Sequence, residues 1–335
     1  MGGGRRAARR TRRPMTAGFT LAFRNGQITP EPGVAPAAVA RRVQFSVMDS
    51  PISLHLDGLT DVGSRRLNNE DAWWAGRLGG THLFMEPGPE PLHLTADGAP
   101  VLLLVSDGVG GANAGEVASQ MAVNLISDEL RRVSGALRDP IAVRESIAAA
   151  LRLANAGIAG KATEPGFGGM GATLSLLCFV GGGAACWGQV GDSRIYLCRQ
   201  GHLRQISRDH SLVGRMRQEG EITEAEARLH PLRNQIDQSL GDPTNTFQPD
   251  VGLEPVQPGD VWLVCSDGLS DGLWDHEIEQ ILAAVDRPAE VRPAVRRLVD
   301  GANHGSGRDN ITVVVALVAG PASAKVAPAA SRPPA

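Results

Sequence analysis

The chain has 335 residues, of which 42% are hydrophobic, so it can bury the core of one large domain or of two ordinary ones. Its formal net charge of −3 excludes a general electrostatic attraction to nucleic acids or to membrane surfaces. The four cysteines stand singly in apolar stretches, without a CxxC pair. That distribution favours reduced thiols buried in the strands of a cytoplasmic protein over a disulfide framework or a zinc site.

The first 50 residues are rich in Arg, Pro and Ala and show no sustained hydrophobic period. Residues 1–13 contain six arginines and no acidic residue, and the apolar block that a signal peptide requires is absent. We predict a disordered leader over 1–50, and the arginine content alone leaves a transit peptide open. The composition of residues 320–335 predicts a disordered tail.

In chain order, the globular part begins with the strand-like alternation of ISLHLDGLTDVG (52–63). The Gly/Pro-rich stretch over 72–100 predicts a loop. The apolar run VLLLVSDGVGG (101–111) predicts a buried strand, and apolar residues at helical spacing then predict helices over about 114–133 and 141–158.

An uncharged stretch, GATLSLLCFVGGGAACWGQVG (171–191), is the one serious candidate for a membrane span. Its centre is GGG, its apolar runs are short, and the polar GDSR follows directly. Two buried strands joined by a glycine turn explain this pattern better, so we predict no membrane association.

The second half adds strands at SRIYLCR and HLRQIS and a polar, helix-leaning flap over about 210–240. The run VWLVCSDG (261–268) predicts another buried strand, followed by helices over about 275–285 and 289–300 and by a last strand at 311–318. The predicted elements follow one another as strands, helices, strands, helices and a strand. This order indicates an α+β fold with segregated layers.

Four aspartates stand at the ends of strand-like runs: Asp71, Asp107, Asp267 and Asp309. A single Asp-Gly pair is usually turn chemistry, but four such positions are not explained by turns alone. Carboxylates crowded at one end of a sheet repel one another unless a cation lies between them. Oxygen-only ligands select magnesium or manganese over zinc, and a glycine after the aspartate leaves its carbonyl accessible to a metal. The pattern predicts a binuclear centre that activates water for attack on phosphorus.

Together with these aspartates, seven motifs give the chain its resemblance to the bacterial type 2C metal-dependent protein Ser/Thr phosphatases of the PPM family. They cover roughly residues 55–318. In chain order they are GSRRLNNED (63–71), VSDGVGGANAGEVAS (105–119), MGATL (170–174), VGDSRIYLCRQGHLRQISRDHS (190–211), LHPLRNQIDQSLG (229–241), PGDVWLVCSDGLSDGL (258–273) and GRDNITVVV (307–315).

The resemblance implies a central antiparallel β-sandwich flanked by α-helices on both faces, built from residues 51–319 with the flap at about 210–240. It implies hydrolysis of phosphoserine and phosphothreonine in proteins by water, without a covalent intermediate. It also implies two tightly bound Mn²⁺ or Mg²⁺ ions and a weaker third. We expect a cytoplasmic signalling protein, monomeric, that binds neither nucleic acid nor membrane and acts on phosphoproteins made by a cognate Ser/Thr kinase.

By position, the resemblance assigns the two metals to Asp71, Asp107, the Gly108 carbonyl, Asp267 and Asp309. Glu70 and Asn310 would act on the metals through water, and Asp192 of GDSR would bind the third metal together with Asp267. Arg66 would bind the substrate phosphate, because a guanidinium pairs with two phosphate oxygens at once.

One position departs from the resemblance, since bacterial relatives commonly carry histidine where this chain has Ala112. His210 could replace it in principle, but a structural histidine at a strand turn is the favoured interpretation.

Three alternative functions agree less well with the sequence. A non-catalytic phosphoprotein-binding module of the same fold would show a degenerate acidic set, whereas all four principal aspartates are present. GFGGMG (166–171) matches a dinucleotide-binding motif, but no strand precedes it and no helix follows. A nucleic-acid-binding role for the arginine leader lacks a basic-aromatic pattern in the globular part.

Overall fold

The computed structural model describes residues 51–79, 91–110, 113–244 and 247–319, and the backbone of a short strand pair near the N-terminus. That pair, β1 (Phe23–Arg24) and β2 (Gln27–Ile28), is antiparallel and belongs to a unit of its own, residues 1–43. The pair falls within the predicted leader; the rest of the leader, like the predicted tail, lies outside the described residues.

Residues 44–335 form the second unit, which contains two antiparallel sheets. The first, sheet I, has six strands in the order β11-β10-β13-β14-β3-β5. Its strands are β3 (Ile52–Asp61), β5 (Leu92–Ala96), β10 (Arg194–Arg199), β11 (His202–Gln205), β13 (Val261–Cys265) and β14 (Ile311–Ala319).

The second, sheet II, has the order β12-β9-β8-β6-β4, and a two-residue strand, β7, also pairs with β6. Its strands are β4 (Asp71–Arg77), β6 (Val101–Val109), β7 (Gly171–Ala172), β8 (Leu174–Val180), β9 (Ala184–Val190) and β12 (Asp250–Pro255).

Helices cover the outer face of each sheet. Two long helices, α1 (Asn113–Arg132) and α2 (Pro140–Lys161), pack on sheet II, while α5 (Asp267–Gly272), α6 (Asp275–Ala283) and α7 (Val291–Gly305) pack on sheet I. Two short helices, α3 (Leu212–Gln218) and α4 (Glu224–Leu229), form the flap, and 3-10 turns stand at Ser134–Ala136 and Pro288–Glu290.

Both sheets are buried on both faces. In β6, Leu102 and Leu104 pack against α1 and α2, whereas Val101, Leu103 and Val105 face sheet I. Every one of these side chains is fully buried, which explains why the strand reads as a continuous apolar run. The architecture confirms the α+β prediction: a central antiparallel β-sandwich flanked by helices on both faces.

The uncharged stretch 171–191 forms strands, as predicted. β8 and β9 pair antiparallel across a turn in which Gly182 and Gly183 have φ angles of +87° and +83°. Residues other than glycine rarely adopt positive φ angles, which accounts for the glycines in this turn. In the described ranges no helix is long and apolar enough to span a membrane. All four cysteines are buried and free of disulfides, as expected.

The sequence interpretation was wrong at three places. The stretch 72–100 was expected to be a loop, yet it contains most of β4 and all of β5. β4 is buried on both faces and therefore shows no alternation. β12 was not anticipated, because its residues are only half-buried at the edge of sheet II. Asp267, expected on the tip of a strand, is the first residue of α5.

Candidate metal centre

Two of the predicted aspartates lie directly opposite each other in sheet II. In the antiparallel pairing of β4 with β6, Asp71 is the register partner of Asp107. Like charges at directly opposed positions destabilise a sheet unless a counter-charge lies between them. The local backbone is nevertheless well held, because Thr173 Oγ1 accepts from the Asp107 amide at 3.0 Å.

The carboxylate of Asp71 is fixed by only one of its oxygens. Its Oδ2 accepts hydrogen bonds from Ser266 Oγ at 2.7 Å and from Thr312 Oγ1 at 2.6 Å. Its Oδ1 is buried and has no hydrogen-bond partner. Asp267 likewise carries a buried Oδ1 without a partner. Buried carboxylate oxygens without partners are costly, so both indicate a ligand that the protein itself does not supply.

Asp267 reaches the centre because β13 passes directly into α5. A Cβ on the next residue, Gly268, would lie 2.0 Å from the Asn310 carbonyl oxygen, and a Cβ on Gly108 would lie 2.0 Å from the Gly115 carbonyl oxygen. Glycine is therefore required after both aspartates by close backbone approach. This packing reason was not part of the sequence interpretation, which considered only access of a metal to the carbonyl.

Asp309 brings the predicted phosphate-binding arginine to the centre. Arg66 Nη2 lies 2.6 Å from Asp309 Oδ2, and the arginine side chain is 47% exposed. This hydrogen bond is the main reason that the pKa of Arg66 is raised. Two residues that are 243 positions apart are thus brought into one ion pair at the rim of the site.

Asn310 holds the segment before β4 in place. Its side-chain oxygen accepts from the Glu70 amide at 2.8 Å, and its Nδ2 donates to the carbonyls of Val62 and Asn68 at 2.9 and 3.0 Å. The Glu70 carbonyl in turn accepts from the Gly108 amide at 3.1 Å. Their predicted action through metal-bound water stays a prediction; the contacts show that both residues fix the backbone around the centre.

Asp192 lies with Asp107, Asp267 and Asp309 on the wall of one open cleft of about 340 Å³, which Arg66 also lines. Asp192 follows Gly191 at the end of β9. Asp192 and Asp267 also line a second pocket beneath the flap. The structure therefore brings together in one cleft every carboxylate predicted to bind a metal except Asp71, which is not in the cleft lining but lies opposite Asp107 in sheet II.

The electrostatics of these carboxylates are those of a site that needs a cation. Burial raises the pKa of Asp71 to about 6 and that of Asp192 to about 7. Burial, and then the neighbouring carboxylates, raise the pKa of Asp107 and of Asp267 well above the usual range. Each anion is thus disfavoured by loss of water and by the others, and a bound cation would reverse both effects.

The donor set fits hard divalent ions, because only carboxylate and carbonyl oxygens are offered. Within the described residues, no three His, Cys, Asp or Glu side chains are arranged as a finished metal cluster. The fit therefore rests on donor chemistry, on unpaired buried oxygens and on charge, rather than on completed coordination geometry.

The histidine considered as a replacement lies elsewhere. His210 is buried, its Nδ1 accepts from the Gly191 amide at 3.3 Å, and its Nε2 lies 3.5 Å from Asp250 Oδ2. It is not among the described residues that line the cleft. These contacts favour the structural interpretation of His210. Ala112 lies outside the described residues.

Sequence reasoning missed Asp271, which lines both the cleft and the pocket beneath the flap. It lies one helical turn after Asp267 in α5, so the two carboxylates share a face. The signal was available, because the SDG that carries Asp267 (266–268) is followed at once by a second SDG at 270–272. Ser266 and Thr312, which orient Asp71, carried no signal of their own.

Comparison with known proteins identifies the family to which the chain is similar. A family model described as protein phosphatase 2C matches residues 92–301. The chain is 37% identical over 260 residues to the serine/threonine protein phosphatase PstP of Mycobacterium tuberculosis, covering 77% of this chain and 44% of PstP. It is 34% identical over 259 residues to the protein phosphatase PhpP of Streptococcus pneumoniae, covering 77% of this chain and 94% of PhpP.

Among solved structures, the catalytic domain of PstP in complex with two manganese ions matches with a TM-score of 0.64 at 32% identity, covering 80% of this chain and 100% of that chain. This chain thus spans less than half of full-length PstP and nearly all of PhpP. Because the family model matches more than half of its length, the chain belongs to the protein phosphatase 2C family.

Proposed function

We propose that the protein hydrolyses phosphoserine and phosphothreonine in proteins by direct attack of water at a binuclear Mn²⁺ or Mg²⁺ centre. The observation that carries the proposal is the set of buried, mutually repelling carboxylates that share one open cleft with an arginine. Bound cations would stabilise the charged forms of such a set, and an arginine at its rim is suited to a phosphate. PstP, whose catalytic domain binds two manganese ions, is similar over the same region.

Each residue of the cleft has a proposed role in metal binding or in catalysis. Asp71, Asp107, Asp267, Asp309 and the Gly108 carbonyl would hold two metals, and Asp192 with Asp267 would hold a third. The metals, when bound, supply Lewis-acid activation of the attacking water and of the phosphoryl group. Ser266 and Thr312 orient Asp71 so that its unpaired oxygen remains available.

Arg66 would bind two oxygens of the substrate phosphate through its planar guanidinium. Its ion pair with Asp309 keeps the side chain at the cleft while leaving it half-exposed. A guanidinium has five N–H donors, so it can keep one on Asp309 and direct others to the phosphate. Arg66 therefore positions the substrate beside the metals and offsets charge on the phosphoryl oxygens.

The completeness of the acidic set supports catalysis over the alternative, a binding module without turnover. We further infer that residues 51–319 are the catalytic domain and that the protein is a cytoplasmic, monomeric signalling enzyme. Its substrates would be phosphoproteins made by a cognate Ser/Thr kinase. The extent of the motifs supports the domain bounds, and the names of the relatives support phosphoproteins as the substrates.

The test is hydrolysis of a phosphothreonine peptide by the full chain, with millimolar Mn²⁺ and with EDTA. We expect turnover with Mn²⁺, its loss in EDTA and its return when Mn²⁺ is restored. Peptide binding without phosphate release in Mn²⁺ would support the non-catalytic alternative. Full turnover in EDTA would contradict the binuclear centre.

A further inference from the structure

A groove of about 490 Å³ lies beside the metal cleft, and none of the predicted site residues lines it. It runs between the C-terminal turn of α2, the strand β7 and the last residues of the flap. Val109 and Ile236 line both the groove and the metal cleft, so the two cavities lie side by side and share these residues. A substrate longer than its phosphorylated side chain can therefore extend from one into the other.

The chemistry that the groove offers is apolar. Its hydrophobic lining consists of Val109, Ala159, Ala162, Met170 and Ile236. Met170 is buried, and the other four are half-buried, so they present apolar surface to the groove without being exposed on the outside of the protein.

Several polar groups around this lining are already engaged in hydrogen bonds within the protein. The amide of Ala172 donates to the Leu240 carbonyl at 3.0 Å, and the carbonyl of Ala172 accepts from the Leu240 amide at 2.8 Å. The side-chain oxygen of Asn155 accepts from the amides of Gly241 and Asp242, at 2.8 and 3.0 Å. These groups are therefore not available to a substrate. Besides two aspartates, the polar side chains of the described lining are those of Thr163, Gln238 and Ser239.

The two acidic side chains at the groove are also engaged. Asp237 forms an ion pair with Arg215, and the carboxylate of Asp242 accepts from the amide and the hydroxyl of Thr244. No Lys or Arg belongs to the described lining, so an acidic substrate residue would gain no cationic partner there. An apolar residue would gain by removing its own surface and that of the groove from water.

We propose that this groove binds an apolar side chain of the phosphoprotein substrate that flanks the phosphorylated residue, and that it contributes to sequence selection. The proposal rests on the proposed phosphatase function, since it concerns the substrate of that same site. Partial burial of one leucine is expected to raise kcat/KM about fivefold, less than the full burial of such a side chain would give.

The experiment compares a phosphothreonine peptide flanked only by alanines with a set in which leucine replaces one flanking alanine at a time. The unmodified full chain is expected to prefer one or two leucine positions about fivefold in kcat/KM. Turnover of p-nitrophenyl phosphate, which has no flanking residues, serves as the reference for the metal centre.

The matched variants are Ala159→Glu, which places a charge in the groove, and Ala156→Glu, which changes an exposed residue of the same helix outside it. Ala159→Glu is expected to abolish the leucine preference while p-nitrophenyl phosphate turnover remains near the unmodified value. Ala156→Glu is expected to retain the preference.

Equal kcat/KM for the alanine and leucine peptides in the unmodified protein would overturn the groove proposal, even if Ala159→Glu failed to fold. A preference that persists in folded Ala159→Glu would overturn it as well. Failure of the unmodified protein to hydrolyse any of the three substrate types would instead contradict the proposed function, and the groove proposal with it.

Discussion

Two neighbouring regions of the molecule, the metal centre at the edge of the sandwich and the flap over about 210–240, are stabilised by different interactions. At the centre, the strands that carry or adjoin the aspartates are packed in apolar cores on both faces; these strands are β4, β6, β13 and β14. In the flap, Val213 and Leu240 are the buried hydrophobic residues between 210 and 240, and Leu229 is 85% exposed. Ion pairs dominate there instead, as between Arg217 and Asp275.

Helix α4 forms one of the junctions that fasten the flap to the elements bearing the predicted metal ligands. Arg228 of α4 donates to the carbonyls of Asp271 and Leu273, which end α5, and its guanidinium lies 4.2 Å from the ring centroid of Trp274. Glu224 of α4 pairs with the same arginine.

The two regions therefore differ in the free-energy cost of displacing their residues. Displacing a carboxylate at the centre requires moving strands packed in a close-fitting core, which is costly. Displacing the flap breaks individual ion pairs at partly exposed positions, and such pairs weaken in salt. We expect substitutions at the centre to abolish chemistry and substitutions at the flap to adjust it.

The largest effect is expected from Asp267→Asn, with Asp192→Ala as its matched control. Asp267 would bind both the paired metals and the third ion, so its neutralisation should lower tight Mn²⁺ binding and reduce kcat on the order of a thousandfold. Asp192→Ala leaves Asp71, Asp107 and Asp309 unchanged. It should retain two tight Mn²⁺ ions and reduce kcat only about tenfold to a hundredfold.

Isothermal calorimetry with Mn²⁺, alongside turnover of p-nitrophenyl phosphate, distinguishes the two variants. If Asp192→Ala lost the tight ions as completely as Asp267→Asn, the assignment of Asp192 to a separate third site would be wrong.

An intermediate effect is expected from Arg66→Ala. This variant removes the proposed phosphate contact without removing a metal ligand, so KM should rise roughly tenfold to a hundredfold, as for loss of a charged hydrogen bond. Steady-state kinetics on a phosphothreonine peptide measure the change, and Arg65→Ala is the neighbouring control. An unchanged KM with a collapsed kcat would assign Arg66 to the transition state alone.

The smallest effect is expected from Arg228→Ala, which loosens the flap at its junction with α5. Tight Mn²⁺ binding should be unchanged, whereas kcat/KM should fall about two- to fivefold and cleavage within the flap by trypsin should become faster. Arg132→Ala, which removes an exposed ion pair with Glu129 on α1, is the control. Loss of tight Mn²⁺ binding in Arg228→Ala would show that metal binding at the centre depends on the flap, contrary to this prediction.

Much of the fold was predictable, because strands and helices of the core carry continuous or periodic apolar patterns. β6, β8, β13 and β14, and the helices α1, α2 and α7, all follow such patterns. β4 and β12 were not predicted for opposite reasons. β4 is buried on both faces within a Gly/Pro-rich context, and β12 is a half-buried edge strand, so neither shows the alternation that identifies a strand.

By itself, the sequence determined the layered α+β fold, the acidic residues of the centre and the chemistry of oxygen-only metal ligands, because these depend on local pattern and residue type. Only the tertiary structure decided which residues meet. The register of β4 on β6 opposes Asp71 to Asp107, and the packing of distant segments joins Arg66 to Asp309. The groove beside Ala159 likewise depends on where α2 and the flap end in space. Contacts between distant segments follow from packing, which no local stretch of sequence encodes.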